Sequence, residues 1–292
     1  MLEGLIEALG FVVYLLLELG LSFYNNLVGM AAGMLGQDPA AWSSAGWAFT
    51  KNVNSIFLAI GGVLTVIFFL MGFCADSMDI RQDFRVENIL RMFLKLSVAE
   101  FFVINSLTLV RELFALSTGV ISKISGQGLT FAYQIPDEVY KLLNSPTENG
   151  MTGGSDALLL VVSILLALIF MLVAVGCGGF ILYEAFQRFF KILLLVPYGT
   201  LANSTIAGNH MLAHSAEAFW KYAIATILEA VTMYMALALC AMIISSGSLQ
   251  LVGQQTGALY VVGWMLEMCL ICWLTLGLVK GSETITQKAL GL

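Results

Sequence analysis

An all-α, polytopic bundle of membrane-spanning helices, about six in number, is the fold class this sequence predicts, and three observations carry that reading. Of 292 residues, 59% are hydrophobic and 11% charged, against roughly 25% charged in an ordinary soluble domain. The mean hydropathy is +0.91, and a water-soluble domain of this length has too little interior to hide so much apolar surface. The uncharged runs are long: 24 residues separate Lys51 from Asp76 and 27 separate Asp156 from Glu184, where about 20 residues cross a bilayer. The scarce Lys and Arg residues gather in alternate connections, as they do in cytoplasmic loops. These features exclude a soluble enzyme, a disordered chain and a disulfide scaffold.

Along the chain, residues 5–33 form the first candidate span. Glu7, Tyr14, Glu18 and Asn25 fall at intervals of seven, four and seven, which makes one narrow polar stripe on a helix. A stripe of this kind suits a span that faces other helices, or a helix lying in the interface. If the helix is interfacial, five spans remain instead of six. The acidic start, Met-Leu-Glu-Gly-Leu-Ile-Glu, is unlike the positive start of a signal peptide, so this segment is read as mature protein. Lys51 to Asp76 encloses the second span. Residues 91–122 read as one long helix that enters the membrane near Phe93, despite Lys95, Glu100, Arg111 and Glu112.

Residues 123–156 are the long polar stretch, read as a short extracytoplasmic loop; within it Pro136 to Leu143 predicts one short helix with proline in its first turn. Asp156 to Glu184 encloses a near-ideal span. Between Glu229 and Glu267 lie 37 uncharged residues broken by Ser245–Ser248 and by Gly253–Gly257. The pattern predicts a hairpin of two helices, about 221–245 and 258–279. Counting Lys and Arg places 75–95 (Arg81, Arg85, Arg91, Lys95), 184–221 (Arg188, Lys191, Lys221) and the tail inside, with 34–51, 123–156 and 247–257 outside. The whole chain, 1–292, reads as a single transmembrane domain, with 184–221 as an amphipathic connection along the cytoplasmic face.

Chemistry-bearing residues are few. Glu18, Glu100, Glu229 and Glu267 each sit in a candidate span, where ionisable groups face a partner, a cavity or water. They suit a helix contact, an interface position or a pair with Arg111 or Arg188 better than a proton or ion relay, because few basic residues lie at depth to pair along such a path. His210, His214 and Glu217 share a helical face, but the glutamate of a zinc-protease motif would directly follow the first histidine, and here Met211 does. An amphipathic helix at the membrane surface explains them more simply. Cys269 and Cys272 have CxxC spacing inside an apolar helix, where a thiolate is disfavoured; they read as buried free thiols. No catalytic set, cofactor site or metal site is predicted.

The most unusual stretch runs from Glu184 to Trp220. The long apolar helix reaches Arg188 and Lys191, continues as Ile-Leu-Leu-Leu-Val to Pro197, and meets a Ser/Thr/Gly/Asn-rich segment from Thr200 to Asn209. An amphipathic helix ending Phe219-Trp220-Lys221-Tyr222 follows. Proline favours a break just before itself, so the expectation is a bend at Pro197 and a return along the inner face. This arrangement resembles the TrbL family, the VirB-six-like polytopic inner-membrane subunits of conjugative type IV secretion systems. Arg188, Pro197 and Trp220 are the positions that look like the family's core pattern. The resemblance covers roughly 160–280, with a looser match in the first half.

The resemblance implies a non-enzymatic scaffold or channel subunit of a DNA-transfer apparatus, in several copies around the translocation route. Its implied partners are the transport ATPase, other secretion-system membrane subunits, the lipid bilayer and a relaxase–DNA substrate in passage. The alternative reading is a small-solute or ion transporter that uses the intramembrane glutamates. Transporters often carry inverted repeats and paired broken helices, and neither is visible in this sequence.

Overall fold

A computed structural model of the protein describes residues 2–77, 86–126, 131–147, 154–245 and 257–291. Arg81 and Arg85, residues 148–153 and nearly all of the 247–257 turn lie outside the described residues. Among the described residues every regular element is a helix. They are α1 (Leu2–Leu35), α2 (Pro39–Trp42), α3 (Ser44–Ser77), α4 (Val86–Ile104), α5 (Ser106–Ser125), α6 (Asp137–Asn144), α7 (Gly154–Ser204), α8 (His210–Ser245) and α9 (Ala258–Ala289), with a 3₁₀ turn at Thr205–Ala207. Five of them, α1, α3, α7, α8 and α9, are long and apolar enough to cross a membrane, and α4 with α5 would make a sixth span if that bent pair is one crossing. The first helix is thus among the five.

Three expectations need correction. The 91–122 stretch is not one helix: Asn105 stands between α4 and α5, which meet at 64°. The Asn105 side-chain amide donates to the Phe101 carbonyl at 2.9 Å, beside the Asn105 backbone N–H that donates to it at 3.0 Å. The chain does not break before Pro197 either, because α7 runs through it to Ser204. Nor is the amphipathic segment separate from the next span, since α8 is one helix from His210 to Ser245.

The continuity at Pro197 has a local cause. Proline cannot donate to the carbonyl four residues back, at Leu193. That carbonyl accepts instead from the Thr50 hydroxyl of α3, at 3.4 Å, and a neighbour's Ser or Thr is a usual way for a buried helix to tolerate proline. On the other side of the ring, the Thr200 hydroxyl donates to the Pro197 carbonyl at 2.8 Å.

The chain divides into two compact units. One comprises Met1–Leu35, Lys123–Phe186 and Thr232–Ser282; the other comprises Gly36–Ser122, Gln187–Val231 and Glu283–Leu292. In the first, α1 packs on the early part of α7, with Gly20 against Phe170 and Met171, and Gly178 against Tyr24 and Leu27. Residues 131–147, including α6, lie along α1. Asn25 holds the Tyr133 backbone at two points (Asn25 Nδ2 to Tyr133 O 2.9 Å, Tyr133 N to Asn25 Oδ1 3.0 Å). The Tyr14 and Tyr140 rings meet edge to face at 5.4 Å, and the Thr147 hydroxyl donates to Glu7 at 3.0 Å. Gly10 lets the Leu143 carbonyl come so close that a Cβ would collide with it. The short helix predicted from Pro136 is present as α6, with Pro136 at its N-cap. Burial pushes the Tyr133 phenol above its ordinary range.

In the second unit the core is Trp47, Val110, Phe114, Ile192, Leu193, Val196 and Ile227, supplied by α3, α5, α7 and α8. Removing the Thr50 hydroxyl with Thr50→Val should destabilise the chain by about 1 kcal/mol, the typical net worth of one hydrogen bond. In a Pro197→Ala background, where residue 197 regains its N–H, the same change should cost markedly less. Thermal melts of the four proteins in detergent give this coupling directly.

Candidate functional site

Arg188 belongs to the second unit and is 3% exposed. Its Nε donates to the Thr226 carbonyl at 3.0 Å and its Nη2 to the Ile227 carbonyl at 2.8 Å. These α8 carbonyls have a second lone pair free beyond the helical ladder. Ile227 O also accepts from the Ser117 hydroxyl of α5 at 3.2 Å, so one carbonyl ties three helices together. Glu229, one turn further on and 8% exposed, lies within electrostatic reach of both Arg188 and Lys191. Lys191 in turn pairs with Glu283 of α9 at 3.1 Å. Two cations and two carboxylates thus balance within one polar junction, buried at Arg188 and Glu229 and half-buried at Lys191 and Glu283. A lone guanidinium in such a setting would be too costly to keep.

A second knot lies about three to four turns further along α7. Asn203, fully buried, accepts from Trp220 Nε1 at 2.8 Å and donates through Nδ2 to the Phe102 carbonyl at 3.0 Å. Phe102 sits at the end of α4, one turn before the bend. Gly199 faces Ser106, the first residue of α5, and Phe219; a Cβ there would collide with the Ser106 hydroxyl. The connection between α7 and α8 is held by Lys95, which donates to the Gly208 carbonyl at 2.9 Å.

The three residues singled out from sequence therefore sit along one stretch of the second unit, each with defined partners. Arg188 does not reach toward water at the inner face; it is 3% exposed, and its Nε and Nη2 donate to carbonyls inside the chain. Of the four acids, Glu229 is the one buried against a cation. Glu18 and Glu100 are exposed and Glu267 is half-buried; Glu18 and Glu267 belong to the first unit, Glu100 and Glu229 to the second. Glu217 lies between His214 (3.5 Å) and Lys221 (2.8 Å) on an exposed face of α8, an ordinary surface ion-pair ladder. The His210 side chain lies outside the described residues. Among the described residues no group of three His, Cys, Asp or Glu could hold a metal ion, and the five cysteines are free thiols.

Sequence reasoning missed Thr50, Ser117, Gly199 and Asn203. Small and polar residues in apolar helices are common, and only the facing carbonyls single these four out. Asn203 had a faint signal, as an amide one and a half turns after Pro197 at the start of the Ser/Thr/Gly/Asn-rich segment.

The fold and the junction define a multi-pass helical membrane protein whose polar groups mainly lock helices to one another. The chain belongs to a known family of this class: the profile described as TrbL/VirB6 plasmid conjugal transfer like protein matches residues 24–200. It is therefore a component of conjugal transfer, or type IV secretion, machinery. The match begins in α1 and ends at Thr200, so the first half of the chain carries more of the likeness than the 160–280 expected from sequence. Arg188 and Pro197 lie inside the matched stretch and Trp220 outside it. Neither a curated protein nor a solved structure matches the chain.

Replacing Arg188 by Ala should leave Lys191 as the cation facing Glu229, free the Thr226 and Ile227 carbonyls of their buried donor, and lower stability by about 3 kcal/mol, as loss of a hydrogen-bonded buried charge does. Arg188→Lys should be intermediate, because a single ammonium cannot serve both carbonyls with the fork of a guanidinium. Arg188→Met combined with Glu229→Gln should recover part of the loss. Trp220→Phe, which leaves Asn203 Oδ1 without its donor, should cost about 1–2 kcal/mol. The monodisperse fraction after heating in detergent ranks all four.

Proposed function

We propose that this chain is a non-enzymatic scaffold or channel subunit of a conjugative type IV secretion apparatus. It resides in the cytoplasmic membrane and acts as a homo-oligomer around the translocation route. The observation that carries the reading is the family match over residues 24–200, supported by five helices able to cross a bilayer. Its partners in this reading are the transport ATPase and the other membrane subunits, and a relaxase–DNA substrate passes by it. The junction of Arg188, Glu229, Lys191 and Glu283, buried at its first two members, supplies the internal stiffness a scaffold needs, since both cations are engaged within the chain.

Deletion of the gene from its mobile element should abolish DNA transfer and leave growth of the host unchanged, with transfer restored by a copy in trans. The tagged protein should co-purify with the secretion ATPase and migrate as an oligomer. Transfer at the normal frequency in the deletion strain refutes the proposal. The Arg188→Lys and Trp220→Phe variants should insert in the membrane and transfer DNA less efficiently, in the order of their stability loss.

A further inference from the structure

Residues 131–147 carry Gln134, Asp137, Glu138, Lys141 and Asn144, a polar set for a segment lying on a helix that can span a membrane. Contacts with α1 run from Asn25, at Tyr133, to Glu7, at Thr147. Eighteen helical residues rise roughly 27 Å, close to the ~30 Å of a bilayer's hydrocarbon core. The strap therefore follows α1 over nearly a membrane's depth instead of capping one end of it.

The outer faces at the same level are apolar. On α1, Phe11, Val12, Leu15, Leu19 and Phe23 are exposed. On α7, whose residues 170–178 lie beside α1 residues 20–27, Leu158, Val161, Leu165, Leu168 and Leu172 are exposed, the last by 76%. α1 thus has three faces. Leu17, Leu21, Tyr24 and Val28 are buried in the unit, the phenylalanines and leucines suit lipid, and Glu7, Tyr14, Glu18 and Asn25 form the polar stripe on which the strap is seated.

Between stripe and strap lies an open cleft of about 500 Å³, lined by Tyr14, Glu18, Ser22, Asn26, Gln134 and Asp137 among others. Its lining holds two carboxylates and no Lys or Arg. Non-helical backbone at hydrocarbon depth is tolerated where protein covers it or water fills the space beside it, and exposed carboxylates at that depth face water.

We propose that the α1–strap cleft is a water-filled, cation-admitting vestibule at membrane depth, with Glu18 and Asp137 setting its preference for small positive solutes over negative ones. Residues 131–147 line that vestibule and do not stand outside the membrane as a free loop. The proposal rests on the membrane-spanning character of α1 and not on the role in DNA transfer, so either can fail alone.

Thiol labelling of the full-length protein in membrane vesicles tests it, with the unsubstituted chain as the baseline for its own cysteines. Ser22→Cys, Asn26→Cys and Gln134→Cys should react with a trimethylammonium-bearing thiosulfonate far faster than Leu15→Cys and Leu19→Cys do. They should also react about tenfold or more faster with it than with the sulfonate-bearing reagent, as field focusing in a single-sign cleft gives. Glu18→Gln together with Asp137→Asn should bring that cation-to-anion ratio close to one. Equal labelling of cleft and lipid-facing positions overturns the proposal, as does a charge preference that is absent or that survives the double neutralisation. On the unsubstituted chain in lipid nanodiscs, hydroxyl radicals generated in water should oxidise Tyr14 and Tyr140 and spare Phe11 and Phe23; oxidation of neither tyrosine overturns it independently of any variant.

Discussion

A guanidinium buried to 3% exposure must find hydrogen-bond acceptors and counter-charge inside the protein, and the second unit is organised around that requirement. Arg188 meets it with two backbone carbonyls of α8 and the field of Glu229. Carbonyls in a helix are fixed in direction by the ladder, so the bond to them sets both the rotation and the height of α7 against α8. Ser117 reads the same Ile227 carbonyl from α5, and Lys191 extends the charge balance to Glu283 of α9. Apolar packing between membrane helices has little directional preference, because lipid is as apolar as leucine. In this unit the polar bonds select the register, and Trp47, Val110, Phe114 and Val196 fill the space that register leaves.

The same logic governs the irregular backbone. Pro197 strips the Leu193 carbonyl of its donor, and Thr50 supplies one. At the α4–α5 bend Asn203 takes up the Phe102 carbonyl while its oxygen receives Trp220. In each case the defect in one helix is covered by a side chain of another, so the defect and its cover hold each other in place. A proline or an asparagine in an apolar helix is then a point of attachment as much as a point of weakness.

How much of this was legible in the sequence depends on whether the signal lay within one helix or between two. Long uncharged runs located α3, α7, α8 and α9, and Pro136 located α6, because those signals are local in the chain. The bend expected at Pro197 did not occur, since the outcome turned on a hydroxyl 147 positions earlier in the chain, at Thr50. The single helix expected over 91–122 is divided at Asn105, one turn after the Phe102 carbonyl that accepts from Asn203 of α7; a lone asparagine in an apolar run does not disclose a partner so distant in the chain. Arg188, Pro197 and Trp220 stood out as residue types that a membrane helix rarely carries without reason. Their partners, Ser117, Asn203 and two carbonyls, are ordinary in composition and visible only as neighbours.

The stripe of Glu7, Tyr14, Glu18 and Asn25 shows the same division from the other side. Its periodicity was plain, and it required something polar to lie along α1, either another helix or the membrane interface. The structure places there a segment that composition alone had assigned to a loop, and three of the four residues contact it directly: Glu7 at Thr147, Tyr14 at Tyr140 and Asn25 at Tyr133. Glu18 is the member without such a contact from the strap among those described, and it lines the cleft instead. A helix surrounded only by apolar neighbours would have no use for such a stripe, because each polar group on it would have to be covered or neutralised. The positions where this apolar chain keeps its polar residues therefore mark where its backbone departs from simple spans, at the strap on α1 as at the bend beside Asn203.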